Sequence, residues 1–270
     1  MIPGLDTYVK LGLGDLVVAK LEKIENHCAQ ILQVDRFSDC CPNGVQVRGS
    51  RKIQRIVTGV SACVELFQAA VDQKADLVLV HHGLFWDKDS RIIQGQLKKR
   101  LQILTSANLT LMAFHLPLDA HPKFGNNTQL LQRLGIGKKK PFGQYHQQTI
   151  SFMGQLDEAM SIERFAKRTM KTLRAHSLVV LPFGPKKIRR VAVCSGGAPE
   201  LIREAKEKGA DLFLTGEANE PLYYFAQEEK IHCIAAGHHC TETLGIRALG
   251  KHLARSFGIE HIFYDCRNPM

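Results

Sequence analysis

The stretch Asp76-Leu-Val-Leu-Val-His-His-Gly-Leu-Phe-Trp86 decides how the chain is read. An apolar run, Leu77 to Val80, stops at two adjacent histidines, a glycine and the chain's one tryptophan. A run this short and rich in valine reads as a buried parallel strand rather than a helix. In open α/β sheets the crevice at the carboxyl ends of such strands is where ligands sit. Two imidazoles there suit metal coordination. Capping of the strand by one and solvation of the other is the alternative, and the pair alone does not choose.

Working outward, residues 53–60 read as a strand, 62–74 as a helix and 76–80 as the next strand, a βαβ unit. Leu97 to Ala107 reads as a helix and Leu109 to Phe114 as a strand running into His115-Leu-Pro-Leu-Asp-Ala-His-Pro122; residues 126–134 form a helix stopped by Gly135. Upstream, residues 12–34 read as a helix with Asp15 as N-cap, and Pro42-Asn43-Gly44 as a turn before a short strand. From Lys138 the composition changes, and strand 151–156, helix 161–173 and strand 178–181 read as a small β-α-β insert. Strands at 190–194, 211–214, 231–235 and 261–264 then alternate with helices at 199–208, 220–229 and 241–257.

The two halves align. Arg55-Ile-Val-Thr-Gly, Glu65-Leu66, Ala70 and Ala75-Asp76-Leu77 match Arg190-Val-Ala-Val-Cys, Glu200-Leu201, Ala205 and Ala210-Asp211-Leu212 at a constant offset of 135. Beyond it, His115 and Asp119 match His238 and Glu242 at an offset of 123, and Glu217 falls where His82 does. This implies an α/β fold of duplicated βαβ halves: 1–137 as the first, 138–186 as the insert, and 187–270 as the second, packing with the first into one domain.

Composition sets bounds. The 270 residues are 44% apolar, enough for a sizeable core, and no apolar run approaches the roughly 20 residues of a membrane span. Met1 to Lys20 lacks a signal-peptide pattern. The eight cysteines form no C-x-x-C pair and read as reduced thiols, which places the protein in the cytoplasm. A net charge of +10 suits an anionic partner such as a nucleotide, more weakly a nucleic acid.

Imidazoles and carboxylates without thiolates at metal spacing suit Zn, Fe, Mn or Co. Adjacent histidines leaving a strand can serve two ions side by side, which carboxylates bridge at roughly 3.5–4 Å. The residues for this are His81, His82, Asp119, His238 and Glu242, with Asp119 and Glu242 as bridges. Asp119 could instead cap the turn after Pro117. His115 and His121 read as orienting neighbours or turn histidines, and His239 as a substrate contact or orienting group. Ser195-Gly196-Gly197 reads as a tight turn, more weakly as a phosphate cradle.

Asn43-Gly-Val-Gln-Val, His81-His-Gly-Leu-Phe-Trp, His115-Leu-Pro-Leu-Asp-Ala-His-Pro, Asn126-Asn127, Leu214-Thr-Gly-Glu217 and Gly237-His-His-Cys-Thr-Glu242 closely resemble the motifs of the NIF-three-like family, whose bacterial members are called GTP cyclohydrolase 1 type 2 homologues. The resemblance runs from about residue 20 to the C-terminus. It implies a NIF-three-like domain, a dinuclear metal site on the same five residues, and a toroidal homohexamer with its metal sites facing an internal cavity. It implies a metal-dependent hydrolase acting on a small, nucleotide-type substrate; cyclohydrolase action would attack C8 of guanine and open the imidazole ring, with Glu217, His239 or His121 moving protons. The alternative is a non-catalytic metal-binding ring that scaffolds partners, carries metal or binds nucleic acid. The first dozen residues read as an extension, and Cys240 stands where the family usually has a small residue.

Overall fold

The structure, a computed structural model, describes residues 17–270. The chain runs β1 (Ala19–Lys20), α1 (Leu21–Leu32), β2 (Gly44–Val47), β3 (Lys52–Ile53), β4 (Arg55–Ser61), α2 (Val64–Asp72), β5 (Leu77–His82) and α3 (Gly95–Ser106). It continues through β6 (Thr110–Ala113), α4 (Leu116–Asp119), α5 (Asn126–Arg133), β7 (Ile136–Tyr145), β8 (Gln148–Met160), α6 (Ile162–Leu173) and β9 (Val179–Pro182). Last come β10 (Ile188–Cys194), α7 (Ile202–Glu207), β11 (Leu212–Thr215), α8 (Glu220–Glu228), β12 (His232–Ala235), α9 (His238–Phe257) and β13 (Glu260–Phe263).

These elements form two compact units. The first holds the described residues up to Leu118 and Ile246–Arg267; the second holds Asp119–Gly245 and Asn268–Met270. In the first, the five-stranded sheet has the order β13-β4-β5-β6-β2, parallel except for the edge strand β2. Val57, Phe67, Val78, Val80, Leu104 and Leu111 are buried in its core. In the second, the six-stranded sheet has the order β7-β8-β10-β11-β12-β9, with β10, β11 and β12 parallel. Its core gathers Leu130, Phe152, Phe165, Val193, Leu214 and Ile234.

The repeat is visible bond by bond. Asp76 Oδ2 accepts the backbone N–H groups of Gln54 and Arg55; Asp211 Oδ2 accepts those of Arg189 and Arg190, each residue 135 further on. Val57 pairs with Val78 and Ala192 with Phe213, the same register in each copy. These aspartates fasten the start of one strand to the start of the next, which is why Ala-Asp-Leu recurs in both halves.

The structure corrects three expectations. Residues 138–186 are not a separate insert: β7, β8 and β9 are strands of the second unit's own sheet. Moreover β9 lies 135 residues after β2, and both pair antiparallel at the outer edge of the third parallel strand. The helix and edge strand preceding β10 therefore correspond to α1 and β2, and belong to the second copy. The expected division at 137 and 186 thus gives way to a two-unit one, in which Ile246–Arg267 returns to the first unit through β13.

The second correction is β7 itself, a ten-residue strand where the sequence suggests only a change of composition. Its Lys138-Lys-Lys-Pro141 run looks like a boundary but is the edge of the sheet, where lysine and proline discourage pairing with another chain. A bulge between Gly137 and Lys140 accommodates the run.

The third concerns the first helix, expected over 12–34. It spans Leu21–Leu32, preceded by strand β1; the part before residue 17, with Asp15, lies outside the described residues, as does most of the expected N-terminal extension. No described helix is long and apolar enough to cross a membrane.

Candidate metal centre

In the first unit, β5 delivers His81 and His82 at its carboxyl end. His81 is fully buried, and its Nδ1 donates to the carbonyl oxygen of Phe114 at 2.9 Å. A carbonyl only accepts, so the proton sits on Nδ1 and Nε2 carries the lone pair that a metal needs. His82 Nδ1 lies 3.0 Å from Ser61 Oγ. His115 follows β6, and its Nδ1 donates to Asp39 Oδ1 at 2.8 Å, the carboxylate–histidine pair that fixes a ligand's orientation. One ring nitrogen from each of His81, His82 and His115 lies within 4.8 Å of the others. The structure thus brings His115 into the imidazole group rather than leaving it a simple turn residue. Trp86 packs edge-on against His115, ring centroids 5.1 Å apart.

Asp39 was not anticipated. Its carboxylate also accepts the N–H of Leu116 at 2.9 Å, that of Cys41 at 3.2 Å and the Asn43 amide at 3.0 Å. Burial alone would raise its pKa, but the bonds from His115, Asn43 and Leu116 together hold it down to about 2. The signal was present: a carboxylate opening the Asp39-Cys-Cys-Pro-Asn turn, four residues before an asparagine that it binds.

In the second unit the donors gather on one turn, Ser195-Gly196-Gly197, at the carboxyl end of β10. Asp119, which closes α4, is buried; its Oδ1 accepts the Asn126 amide at 2.9 Å and the Ser195 hydroxyl at 3.2 Å. Asn126 Oδ1 in turn accepts the N–H of Gly245 at 2.8 Å, while Asn127 Oδ1 accepts that of Ser195 at 2.7 Å. The Asn126-Asn127 pair therefore braces both the carboxylate and the turn. Gly196, at φ +68°, has no room for a side chain: a Cβ would overlap Glu242 Oε1 and come within 3.1 Å of His238 Nε2. The Ser195 and Gly196 N–H groups already donate to Asn127 Oδ1 and Thr241 Oγ1, so this turn is tied into the fold by the groups a phosphate cradle would need.

His238 opens α9, and Glu242 lies one turn on, so both project from the same face. His238 Nε2 is 3.2 Å from Glu242 Oε2, and its Nδ1 is 2.6 Å from Glu217 Oε1. Burial would lower the His238 pKa; Glu242 first and Glu217 second outweigh it and raise it to about 9. Two carboxylates thus hold a proton on this imidazole, the mark of a place that draws positive charge.

The remaining expected residues have local roles. His121 Nδ1 accepts the N–H groups of Lys123 and Phe124 at 3.1 and 2.8 Å, and its ring stacks on Phe124. His239 is buried and its N–H donates to the carbonyl oxygen of Met270 at 3.0 Å. Cys240 packs against the second unit's core.

An α/β unit built twice, with imidazole and carboxylate groups at the carboxyl ends of its parallel strands, defines a duplicated α/β protein with groups able to hold metal ions. The family follows from comparison: the chain belongs to the Duf34/NIF3 (NGG1p interacting factor 3) family, whose model matches residues 19–269. Among its relatives is a protein of Pseudomonas aeruginosa named GTP cyclohydrolase 1 type 2 homolog, 42% identical over 249 residues, covering 92% of this chain and 98% of that one. A protein of the same name from Haemophilus influenzae is 40% identical, covering 93% and 98%. Among solved structures, the protein ybgI, described as of unknown function, superposes with a TM-score of 0.88 at 37% identity, covering 93% of this chain and all of that one. A Thermus thermophilus protein superposes with a TM-score of 0.86 at 30% identity, with the same coverage.

Proposed function

We propose that the chain is a metal-dependent hydrolase of nucleotide-type substrates that holds two divalent ions on His81, His82, Asp119, His238 and Glu242. The observation that carries this reading is the gathering of Asp119, Glu242 and His238 on the Ser195-Gly196 turn, where carboxylates are buried and braced as cation ligands are. The fixed Nδ1–H of His81 agrees with it, since it leaves Nε2 as the ligating atom. The ions, of Zn, Fe, Mn or Co, would polarise the substrate and make water acidic near neutral pH.

The chain's own groups would do the rest. Asn126 and Ser195 aim the Asp119 carboxylate by donating to it. Glu217 has a half-exposed side chain and contacts His238 Nδ1, so it can exchange a proton with solvent while orienting that ring. The net charge of +10 suits an anionic substrate, and the names of the relatives point to GTP as the first to test. We place the protein in the cytoplasm as a homohexamer, for which light scattering should give six times the 30.2 kDa chain mass.

The test is metal content and turnover measured together. Protein reconstituted with a single defined metal should hold two ions per chain and turn over a member of a nucleotide and phosphoester panel. Asp119→Ala and Glu242→Ala should lose an ion and the turnover, while the exposed Lys187→Ala keeps both. Fewer than two ions would refute the site. Two ions without turnover of any panel member would refute the hydrolase and favour a non-catalytic metal-binding ring.

A further inference from the structure

Strands β4 and β13 lie side by side and parallel, with Thr58 paired to Phe263. Both run on past their carboxyl ends in the same direction. Five residues beyond Thr58 is Cys63; three beyond Phe263 is Cys266. Although 203 positions apart in the chain, their sulfurs lie 3.6 Å from each other. Both side chains are half-buried.

The two thiols have different surroundings. Cys63 is the N-cap of α2, and its Sγ accepts the backbone N–H of Leu66 at 3.5 Å. A helix N-terminus favours negative charge, so the cap position stabilises a thiolate. Cys266 lies on the C-terminal segment after β13, with its Sγ within S–H···S distance of Cys63 Sγ; either neutral thiol can donate, and when Cys63 is the thiolate the donor is Cys266. That bond is the main cause that brings Cys63 down to about 6; burial and Glu65 oppose it, and Leu66 N–H and Arg100 assist. The same bond, with burial and the nearby Glu65 and Asp265, pushes Cys266 up. Tyr264, whose hydroxyl donates to Glu65 Oε1 at 3.3 Å, flanks the pair. Elsewhere, burial pushes up the thiols of Cys28, Cys41, Cys194 and Cys233.

We propose that Cys63 and Cys266 form a hydroperoxide-reactive dithiol, with Cys63 as the attacking and Cys266 as the resolving thiol. The Cys63 thiolate attacks the peroxide O–O bond and takes one oxygen as a sulfenic acid; the other oxygen leaves as hydroxide, which collects a proton to become water. The Cys266 sulfur then attacks the Cys63 sulfur, the S–O bond breaks, and a second water leaves. Two thiols and one hydrogen peroxide become one disulfide and two waters, the sulfurs oxidised and the peroxide reduced. Side-chain rotation closes the sulfurs from 3.6 Å to the roughly 2 Å of a disulfide. The bond would tie the C-terminal segment to the start of α2.

Full-length protein treated with one equivalent of hydrogen peroxide, alkylated and digested with trypsin tests this. Cys63 is the single cysteine of peptide 56–74, and Cys266 of peptide 256–267. The expected product is these two peptides joined, with two hydrogens lost. Iodoacetamide should alkylate Cys63 of the reduced protein about tenfold faster than any other cysteine at pH 7. In Cys266→Ser, Cys63 should stop at the sulfenic acid and be trapped by dimedone; in Cys63→Ser, Cys266 should give neither product. Wild-type protein in which both cysteines stay alkylatable after peroxide, or in which Cys40 or Cys240 is oxidised first, overturns the proposal without recourse to any variant.

Discussion

Asn126 is the residue whose exchange tests the second unit's site most sharply. It is fully buried, its amide NH₂ donates to Asp119 Oδ1 at 2.9 Å, and its Oδ1 accepts the N–H of Gly245 at 2.8 Å. Asn126→Asp is isosteric and keeps the acceptor for Gly245, but it sets a carboxylate where the donor was. Two charges about 4 Å apart repel by about 4 kcal/mol at an effective dielectric of 20. The lost bond to a charged acceptor adds about 1.5–3 kcal/mol. One proton shared by the pair restores a donor, so the new carboxyl should have a folded-state pKa well above its unfolded value. The sign follows: the protonated form is favoured by folding, so the deficit is small below about pH 4 and complete only above the raised pKa. Thermal unfolding of wild type and Asn126→Asp in chelator, from pH 4 to pH 8, should show a gap that widens steadily with pH, reaching on the order of 10 °C. Equal stability at pH 8, or a gap that does not change with pH, would refute the account of Asp119 as a buried carboxylate braced by this amide.

Gly196→Ala should lower the unfolding midpoint by several degrees, since φ +68° costs an alanine about 1–2 kcal/mol and its Cβ displaces Glu242; metal analysis should show at least about a tenfold weaker hold on the ion that Glu242 serves. Asp39, held down to about 2, contributes about 2 kcal/mol of stability that is complete above its unfolded pKa and is lost as pH falls through about 2. The stability difference between wild type and Asp39→Asn should therefore be constant above pH 5 and close between pH 4 and pH 2; denaturant titrations showing a constant difference down to pH 2 would contradict it.

Much of the parallel core was legible because its signals are local. Leu77 to Val80 ending in His81-His82, and Ala-Asp-Leu at 75–77 and 210–212, each report a strand start or end within a few residues. What escaped is non-local. Asp39 meets His115 across 76 residues, and no short motif joins them. The correspondence of β2 with β9 is topological: Gly-Val-Gln-Val and Val-Val-Leu-Pro share an offset of 135 but hardly a sequence, because an edge strand needs only one inward face. The lysines of β7 read as a segment boundary because charge on an edge strand and charge in a loop look alike until the neighbouring strand is known.

The copies have kept their backbone and exchanged their chemistry, and one difference lies where the helix after the third parallel strand begins. At the offset of 135, His81-His82 corresponds to Gly216-Glu217. After β12 that helix is α9, whose first turn starts at His238. It comes so near the end of β11 that a Cβ on Gly216 would stand 2.8 Å from the His238 Cα and 2.9 Å from Thr241 Oγ1. No side chain fits there, and the next position, Glu217, turns outward to hold His238. In the first unit the helix after β6 is α4, four residues long. The place corresponding to Gly216 holds the buried imidazole of His81, with the Phe114 carbonyl fixing its proton. The first turn after β12 thus excludes a side chain at Gly216, and the second copy supplies its imidazole from that turn, while the first copy carries imidazoles at the end of its second strand as well.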